Sequence, residues 1–478
     1  METDIELLHA FDFAGQTQRA FGDARQTKWH EGLPYAKGLR IASEHLQEKL
    51  TDLPHTDWRF GVYRFQVDLI QRGYLQSFHL EPGEPVHTRL SFPAPGDDVL
   101  NPIFYYFAEP EPHYLLIGFH PARLVGFYFP ERKQVVSLMN HEHPVIRMGW
   151  DPMRTALSCR MLEELLLIDP AVVAQYRTNE ASHRLVLTQA FHPNVGHQLR
   201  EEFSLLWKLF HKTDCDAGLL TGPHDHLGLA DQLPATVQRE NLPLDDPETP
   251  WPVTCFNATL QRGLLLGRMG CTSHMPVEMQ QTLQTGFRKA HAAKLSEAAG
   301  QLAGKRPVVW LTLRAHNRRW LGEGEYLRKL TETVAEKYPN AAFILDGMKD
   351  TRKSAKEIMQ SPATVLDLIG ASFPEAQACF SLADAYVMPY SNSCVFHMID
   401  PRPGVVHGLK GWIPEEPFEP AETAQPVRAN VVHGTKKESG NPEYDAWVTA
   451  ANYELDAEPV IASLLEVLAS LPPRTVTT

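Results

Sequence analysis

The chain has 478 residues, 43% hydrophobic and 22% charged, with a formal net charge of -13. This length suggests two or three domains, and the composition is that of a globular protein able to bury large cores. The acidic balance argues against nucleic acid and anionic lipid surfaces as main partners, while a local basic patch remains free to bind a phosphate.

Residues 1–55 are polar with weak helical patches. From Trp58 to Leu138 short runs rich in Val, Ile, Phe and Tyr (Trp58–Ile70, Tyr105–Phe107, Tyr114–Phe119, Leu124–Phe129, Gln134–Leu138) alternate with Pro/Gly/Asp/Glu clusters. That pattern predicts an antiparallel meander or small barrel. Arg154–Val173 reads as one helix, with Met161, Leu162, Leu165, Leu166 and Leu167 as its apolar stripe.

From Ser182 the rhythm changes. Arg184–Thr188 reads as a strand, and Val195–His211 as a helix with Val195, Leu199, Phe203, Leu206, Trp207 and Phe210 at helical spacing. Gly218–Thr221 and Pro252–Phe256 are further strand candidates, and Gln280–Ala299 is helical. Strands are then predicted at Pro307–Leu313, Ala341–Leu345, Thr364–Ile369 and Ala385–Pro389. Helices at Tyr326–Lys337, Lys353–Met359 and Pro374–Ala383 fall between them. Such alternation implies a parallel sheet covered on both faces. Residues 412–445 read as irregular, and Ala457–Leu471 as a closing amphipathic helix. The expected fold class is therefore α/β. Residues 1–180 would form a β-rich N-terminal domain, 181–300 a first Rossmann-like half, and 301–478 a second with the C-terminal helix.

Ligands of open α/β sheets sit at the carboxyl ends of the strands, which directs attention to three segments. The first, Phe191–His197, opens a helix. His197 there is a candidate general base, because histidine as a residue type ordinarily titrates near working pH, although a histidine in a first helical turn also serves simply to bond a carbonyl. The second, Arg314–Trp320, holds Arg314, Arg318 and Arg319 at a strand end. Guanidinium forks suit a nucleotide diphosphate; the plainer reading pairs them with Glu323 and Glu325. The third, Met388–Cys394, offers Ser391, Asn392 and Ser393 as phosphate donors, or equally as a helix N-cap. Ser372 and Glu375 fit a capping box.

Other features point elsewhere less directly. His224-Asp225-His226 supplies too few ligands for a metal site, so no metal and no cofactor is expected. Cys271-Thr272-Ser273-His274 places a thiol near an imidazole without triad geometry. The six cysteines (Cys159, Cys215, Cys255, Cys271, Cys379, Cys394) form no CxxC pair, which suggests reduced thiols. The N-terminal segment lacks a basic stretch and no run of about 18 apolar residues occurs, so a cytoplasmic location without a transmembrane segment is expected.

Several of these motifs together resemble a known group. Thr312-Leu313-Arg314 with Asn317-Arg318-Arg319, then Ser372–Gln377, then Ala383–Ser393 follow the pattern of the second domain of family sixty-one-type glycosyltransferases and of GT-B enzymes broadly. Asn194-Val195-Gly196-His197, followed by Glu201/Glu202, Phe203 and Leu206, is similar to that group's N-x-G-H helix. Where the group has Pro-His-Gly, this chain has Pro389-Tyr390-Ser391. The resemblance implies two facing Rossmann-like halves and metal-independent, inverting sugar transfer from a nucleotide sugar to a glycan, lipid-linked or protein acceptor. It implies that Arg314 with Arg318 or Arg319 lies near the donor phosphates, Ser391 to Ser393 form the phosphate turn, and His197 lies near the acceptor. An epimerase or phosphorylase on the same scaffold, or a non-catalytic glycan- or nucleotide-binding protein, stays open, as does homo-oligomerisation.

Overall fold

The computed structural model describes residues 4–13, 22, 25, 28–50, 62–81, 85–94, 102–118, 123–142, 152–244, 248–269, 275–410, 413, 429–437 and 451–472. The chain divides into two compact units, Met1–Thr272 and Ser273–Thr478.

The first unit holds two main sheets. One is six-stranded, built from β1 (Glu6–His9), β2 (Ser91–Pro93), β3 (Ile103–Phe107), β4 (His113–Ile117), β5 (Leu124–Phe129) and β6 (Gln134–Ser137). Its order is β1-β6-β5-β4-β3-β2, antiparallel except where β1 runs parallel to β6. The other is four-stranded and parallel, with β7 (Arg184–Gln189), β8 (Gly218–Thr221), β9 (Arg239–Asn241) and β10 (Leu264–Gly267) in the order β9-β8-β7-β10.

One core joins them. Phe92, Phe104, Tyr114, Leu116 and Tyr128 of the meander pack against Cys159, Leu162, Val173, Tyr176, Phe256 and Leu260. Each such large side chain contributes roughly 1.5–3 kcal/mol by leaving water. Hydrogen bonds stitch the two sheets together as well: the Leu266 N–H donates to Ser91 Oγ at 2.7 Å, and the Tyr105 hydroxyl to the Leu266 carbonyl at 2.5 Å. The Tyr176 hydroxyl reaches the Leu264 carbonyl at 2.7 Å while accepting from the Ser91 N–H.

Three local expectations are corrected here. Within Trp58–Ile70, residues 58–61 lie outside the described residues, and the rest is a two-residue strand running into a helix, Arg64–Arg72. The Gln66 side chain accepts the Tyr63 N–H at 3.0 Å, so a capping box starts the helix where side-chain composition suggested a strand. Arg154–Val173 is two helices, Pro152–Leu166 and Pro170–Thr178. Asp169 caps the second by accepting the Val172 N–H, and Leu167 and Ile168 at the break are exposed. Pro252–Phe256 belongs to the helix Trp251–Arg262, which Pro252 opens and Gly263 ends in a left-handed conformation at φ 60°. Tertiary burial of Pro252, Cys255, Phe256, Thr259 and Leu260 overrides the local strand propensity.

The second unit is a seven-stranded sheet. Its strands are β11 (Val308–Thr312), β12 (Ala342–Asp346), β13 (Thr364–Asp367), β14 (Ala385–Pro389), β15 (Gly404–Leu409), β16 (Ala429–Lys437) and β17 (Asn452–Glu454). The order is β13-β12-β11-β14-β15-β16-β17, all parallel except the antiparallel edge strand β17. β16 falls within the stretch read as irregular, whose remainder lies mostly outside the described residues. Successive residues of each strand feed opposite faces. Val309, Leu311, Phe343 and Leu345 meet Leu327, Leu330, Ile358, Val460 and Leu464 on one side. Val308, Trp310, Ala342 and Ile344 meet Ala298, Leu302, Cys379, Phe380 and Phe396 on the other. Burial on both faces is why these strands read as nearly continuous apolar runs.

Candidate functional site

The seven-stranded sheet reverses direction at β11: β12 and β13 lie to one side, β14 to β16 to the other. That is a topological switch point, where the crevice beyond the strand ends favours a ligand. A pocket of about 490 Å3 opens there. Thr312 at the end of β11 and Leu313–Asn317 after it, Asp346 at the end of β12 and Gly347–Asp350 after it, Gly370 and Ala371 after β13, Phe373 and Ala376 of the helix Phe373–Phe380, and Ser393 and Phe396 after β14 line it. Gly347 admits this geometry because a Cβ there would stand 2.6 Å from Thr351 Oγ1 and 3.1 Å from the Leu313 carbonyl.

Arg314 is held before any ligand arrives. Its Nε donates to the Asn317 carbonyl and its Nη2 to Asn317 Oδ1, both at 2.7 Å. Its N–H donates to Glu323 Oε2 at 3.2 Å, and burial lowers the guanidinium's pKa. Glu323 sits beneath the loop, accepting from the Ser354 hydroxyl at 3.0 Å, and burial pushes its carboxyl up to about 7. Lys349 adds positive charge at the rim, where His316 Nε2 lies 3.0 Å from Asp350.

The loop beyond is clamped by β17. The Arg319 N–H donates to Asn452 Oδ1 at 3.0 Å, the Tyr453 N–H to the Arg319 carbonyl at 3.0 Å, and the Leu321 N–H to the Tyr453 carbonyl at 2.9 Å. Trp320 Nε1 donates to the Leu455 carbonyl at 2.7 Å. The Tyr453 hydroxyl is 2.7 Å from His407 Nδ1, and burial drives that imidazole down to about 3, so it is neutral.

Asp346, the last residue of β12, forms part of the pocket floor. Burial pushes its carboxyl up to about 7, against the weaker pull of Thr312 and the Gly347 N–H. Trp310 Nε1 donates to Thr312 Oγ1 at 3.0 Å, and Thr312 Oγ1 in turn lies 3.4 Å from Asp346 Oδ2.

Of the residues proposed from the sequence for the donor, Arg314 and Ser393 line the pocket. Arg318, Arg319 and Ser391 are not among its lining residues, and the Asn392 side chain lies outside the described residues. Arg319 turns to Glu323, with Nε 3.6 Å from Oε1, and Arg318 takes a left-handed φ of 54°. Ser391 and Ser393 bond each other at 2.7 Å in a 3-10 turn, Asn392–Cys394. Ser372 and Glu375 form the expected capping box, at 3.0 Å from the Ser372 N–H and 2.8 Å from its hydroxyl to Glu375 Oε2. Asp346 and Lys349 were not singled out from the sequence, and Thr312 and Asn317 entered only as parts of the motif around Arg314. The strand-end rule that found Arg314 also covers Asp346, which reads instead as half of an Asp-Gly turn signal.

In the first unit, the carboxyl ends of β7 and β8 are tied together. His197 ends a one-turn helical segment and stands 4.4 Å from the His192 ring, centroid to centroid, half-buried. Asn194 caps that turn by accepting the Gly196 N–H at 2.9 Å. A π-helix, Gln198–Phe203, follows, a form that recurs at functional sites. Gln198 Nε2 donates to the carbonyls of His192 and His224, at 2.6 and 2.8 Å. Ala190 adopts φ 59°, and its N–H donates to buried Glu202 at 2.7 Å. Glu202 opposes Arg268 at the end of β10, whose guanidinium burial lowers to about 10. Asp225 of the His-Asp-His run accepts the N–H groups of Leu229 and Ala230, so it caps the following turn. Among the described residues no group of three or more His, Cys, Asp or Glu is placed to hold a metal, and no helix is long and apolar enough to cross a membrane. Cys271 and His274 lie outside the described residues.

No protein-family model matches the chain, and no curated protein matches it in sequence. Among solved structures, it is similar to E. coli ADP-heptose lipopolysaccharide heptosyltransferase II at 12% identity and a TM-score of 0.37, over 60% of this chain and 98% of that one. It is similar to the glycosyl transferase family 9 protein of Veillonella parvula at 12% identity and 0.26, over 53% and 73%. A third is a mutant of S. aureus TarM, at 10% and 0.25, over 84% and 72%. Likenesses this distant carry no functional weight. The parallel sheets and their strand-end pocket stand on their own geometry.

Proposed function

We propose that this chain is a glycosyltransferase that moves a sugar from a nucleotide-sugar donor to a hydroxyl acceptor, with inversion and without an essential metal. The carrying observation is the pocket at the switch point with Arg314 fixed in its wall by Asn317. A pre-oriented guanidinium at a strand end suits the diphosphate that leaves as the glycosidic bond breaks, because it needs no reorganisation when negative charge develops. The motif resemblance around Arg314, Glu375 and Ser393 supports the same reading. In this mechanism the acceptor oxygen attacks the anomeric carbon and its proton passes to a base, for which His197 is the candidate. The bond from that carbon to the phosphate oxygen breaks, and the diphosphate departs with the electron pair. We place the protein in the cytoplasm, where nucleotide sugars are made.

The deciding experiment is a thermal-shift panel of nucleoside diphosphates and their sugars. A rise in Tm with one nucleotide series supports the donor site, since a ligand of the folded state must stabilise it. No rise with any of them at millimolar concentration refutes the reading. Pro389-Tyr390-Ser391, where the resembled enzymes have Pro-His-Gly, favours a second reading: a nucleotide-binding protein without transfer activity. Tight binding without turnover across a broad acceptor set would select it.

A further inference from the structure

The arginine and the lysine that line the pocket stand on different walls. Arg314 belongs to the loop after β11. Lys349 belongs to the loop after β12, where its stem passes over Gly370: a Cβ there would stand 2.9 Å from Lys349 Cγ. The 3-10 turn Lys349–Thr351 runs straight into the helix Arg352–Ile358, which is the footing of that second wall. One buried side chain touches both. Glu323, 3% exposed, accepts the backbone N–H of Arg314 on Oε2 at 3.2 Å and the Ser354 hydroxyl on Oε1 at 3.0 Å. Arg319 Nε lies 3.6 Å from the same Oε1 as a counter-charge. Gly324 permits the contact with Ser354. A Cβ there would stand 3.1 Å from Ser354 Cα, so the helices Glu323–Lys337 and Arg352–Ile358 meet closely where the acid crosses between them.

The plainer role for an acid in the first turn of a helix is to complement the helix dipole. Glu325, in the same turn, does so from an exposed position. Burial adds nothing to that role and costs free energy unless the group is hydrogen-bonded. The two oxygens of Glu323 instead divide between two separate elements. Asn317 fixes the Arg314 side chain, and Glu323 fixes the backbone from which it hangs. A guanidinium grips a phosphate well only when it is held to within about 0.5 Å.

We infer that Glu323 is a positioning residue: its carboxyl ties the Arg314 loop to the helix that continues the Lys349 turn, and so sets the spacing at which the two cations meet the phosphates of a nucleotide. The inference rests on the donor-binding reading above, and the test separates the two. Glutamine can keep both contacts, its Oε1 accepting the Arg314 N–H and its Nε2 donating to Ser354 Oγ, whereas alanine keeps neither. The affinities of ADP, UDP and GDP, and of the corresponding nucleosides, are measured by calorimetry on the full chain, Glu323→Ala, Glu323→Gln and Ser354→Ala. Glu323→Ala should weaken the preferred diphosphate by about tenfold and its nucleoside by less than about twofold. Glu323→Gln should stay within about threefold of the wild type for both ligands. Ser354→Ala, which cuts one tie and leaves the acid in place, should weaken the diphosphate by about threefold. Full diphosphate affinity in a folded Glu323→Ala, or in Ser354→Ala where the first does not fold, overturns the inference and leaves nucleotide binding standing. An equal loss of diphosphate and nucleoside overturns it too, as does a glutamine variant as weak as the alanine one. Failure of every nucleotide to bind the wild type overturns both readings.

Discussion

The four-stranded sheet of the first unit and the seven-stranded sheet of the second start from the same plan. In each, the first strand lies inside, the next two step outward on one side, and the fourth returns to the other side. Their carboxyl ends are finished differently. In the first unit the loops are bound to one another: Gln198 joins the His192 and His224 loops, Glu202 holds the Ala190 N–H, and Gly222 is so close to Ala190 that a Cβ would stand 2.6 Å from its carbonyl. In the second the strand ends hold a pocket open, with buried ionisable groups around it. One crevice is laced by its own hydrogen bonds, and the other holds buried acids, Asp346 and Glu323, around an open pocket. A shared strand order thus fixes where a crevice lies, and the residues just past each strand decide what it can hold.

The sharpest way to break this comparison is Glu202→Ala. It strips a buried guanidinium, Arg268, of its counter-charge and the Ala190 N–H of its acceptor. Stability measured by urea unfolding should fall by about 3–5 kcal/mol, with nucleotide affinity little changed in the folded fraction. A loss below about 1 kcal/mol would mean that the first unit's strand ends are not held by this acid.

The second test is the pH dependence of stability. Asp346 has a folded value of about 7 against 3.8 when unperturbed, so between roughly pH 4 and pH 7 the folded state keeps a proton that the unfolded chain has released. Stability from this group is therefore fully present below pH 4 and is lost as pH rises through 7. Glu323, also near 7, acts in the same direction. Asp346→Asn should flatten the profile and, near pH 8, gain up to about 4 kcal/mol over the wild type. An unchanged slope by calorimetric melting would show that the carboxyl is not as dry as its position implies.

Third, Arg314→Ala should weaken nucleoside diphosphate binding by about tenfold to a hundredfold, and Arg319→Ala by less, since that side chain turns to Glu323. Titration calorimetry giving the reverse order would reassign the phosphate contact. The smallest effect is expected from Asn452→Ala, which removes the acceptor for the Arg319 N–H. A loss of about 1 kcal/mol in stability is expected, with a few-fold loss of affinity from the loosened loop.

Much of the second unit was legible in the sequence. The runs Val308–Thr312 and Ala385–Pro389 are apolar because both faces are covered, and burial on two faces leaves little doubt about a strand. The strand-end rule then led to Arg314. What escaped was whatever long-range contacts decide. Pro252–Phe256 looks like a strand until its helix is seen packed on the meander's core. Asp346 looks like a turn residue until the register sets it beside Thr312. Ser391, Asn392 and Ser393 read as one phosphate turn; the two serines bond each other, and of the two only Ser393 lines the pocket.

The β17 clamp also dictates an order of assembly. The Arg319 N–H and the Asn452 side chain that receives it are 133 residues apart, so their bond closes one of the longest loops in the unit. Closing it requires the intervening strands to be in place, and the entropy of that closure is recovered only at the end. The arginine loop therefore reaches its final shape late, after β11 and its neighbours have paired. Contact order thus favours a central sheet that forms before the wall of the strand-end pocket is finished, with the docking of the edge strand as the step that completes it.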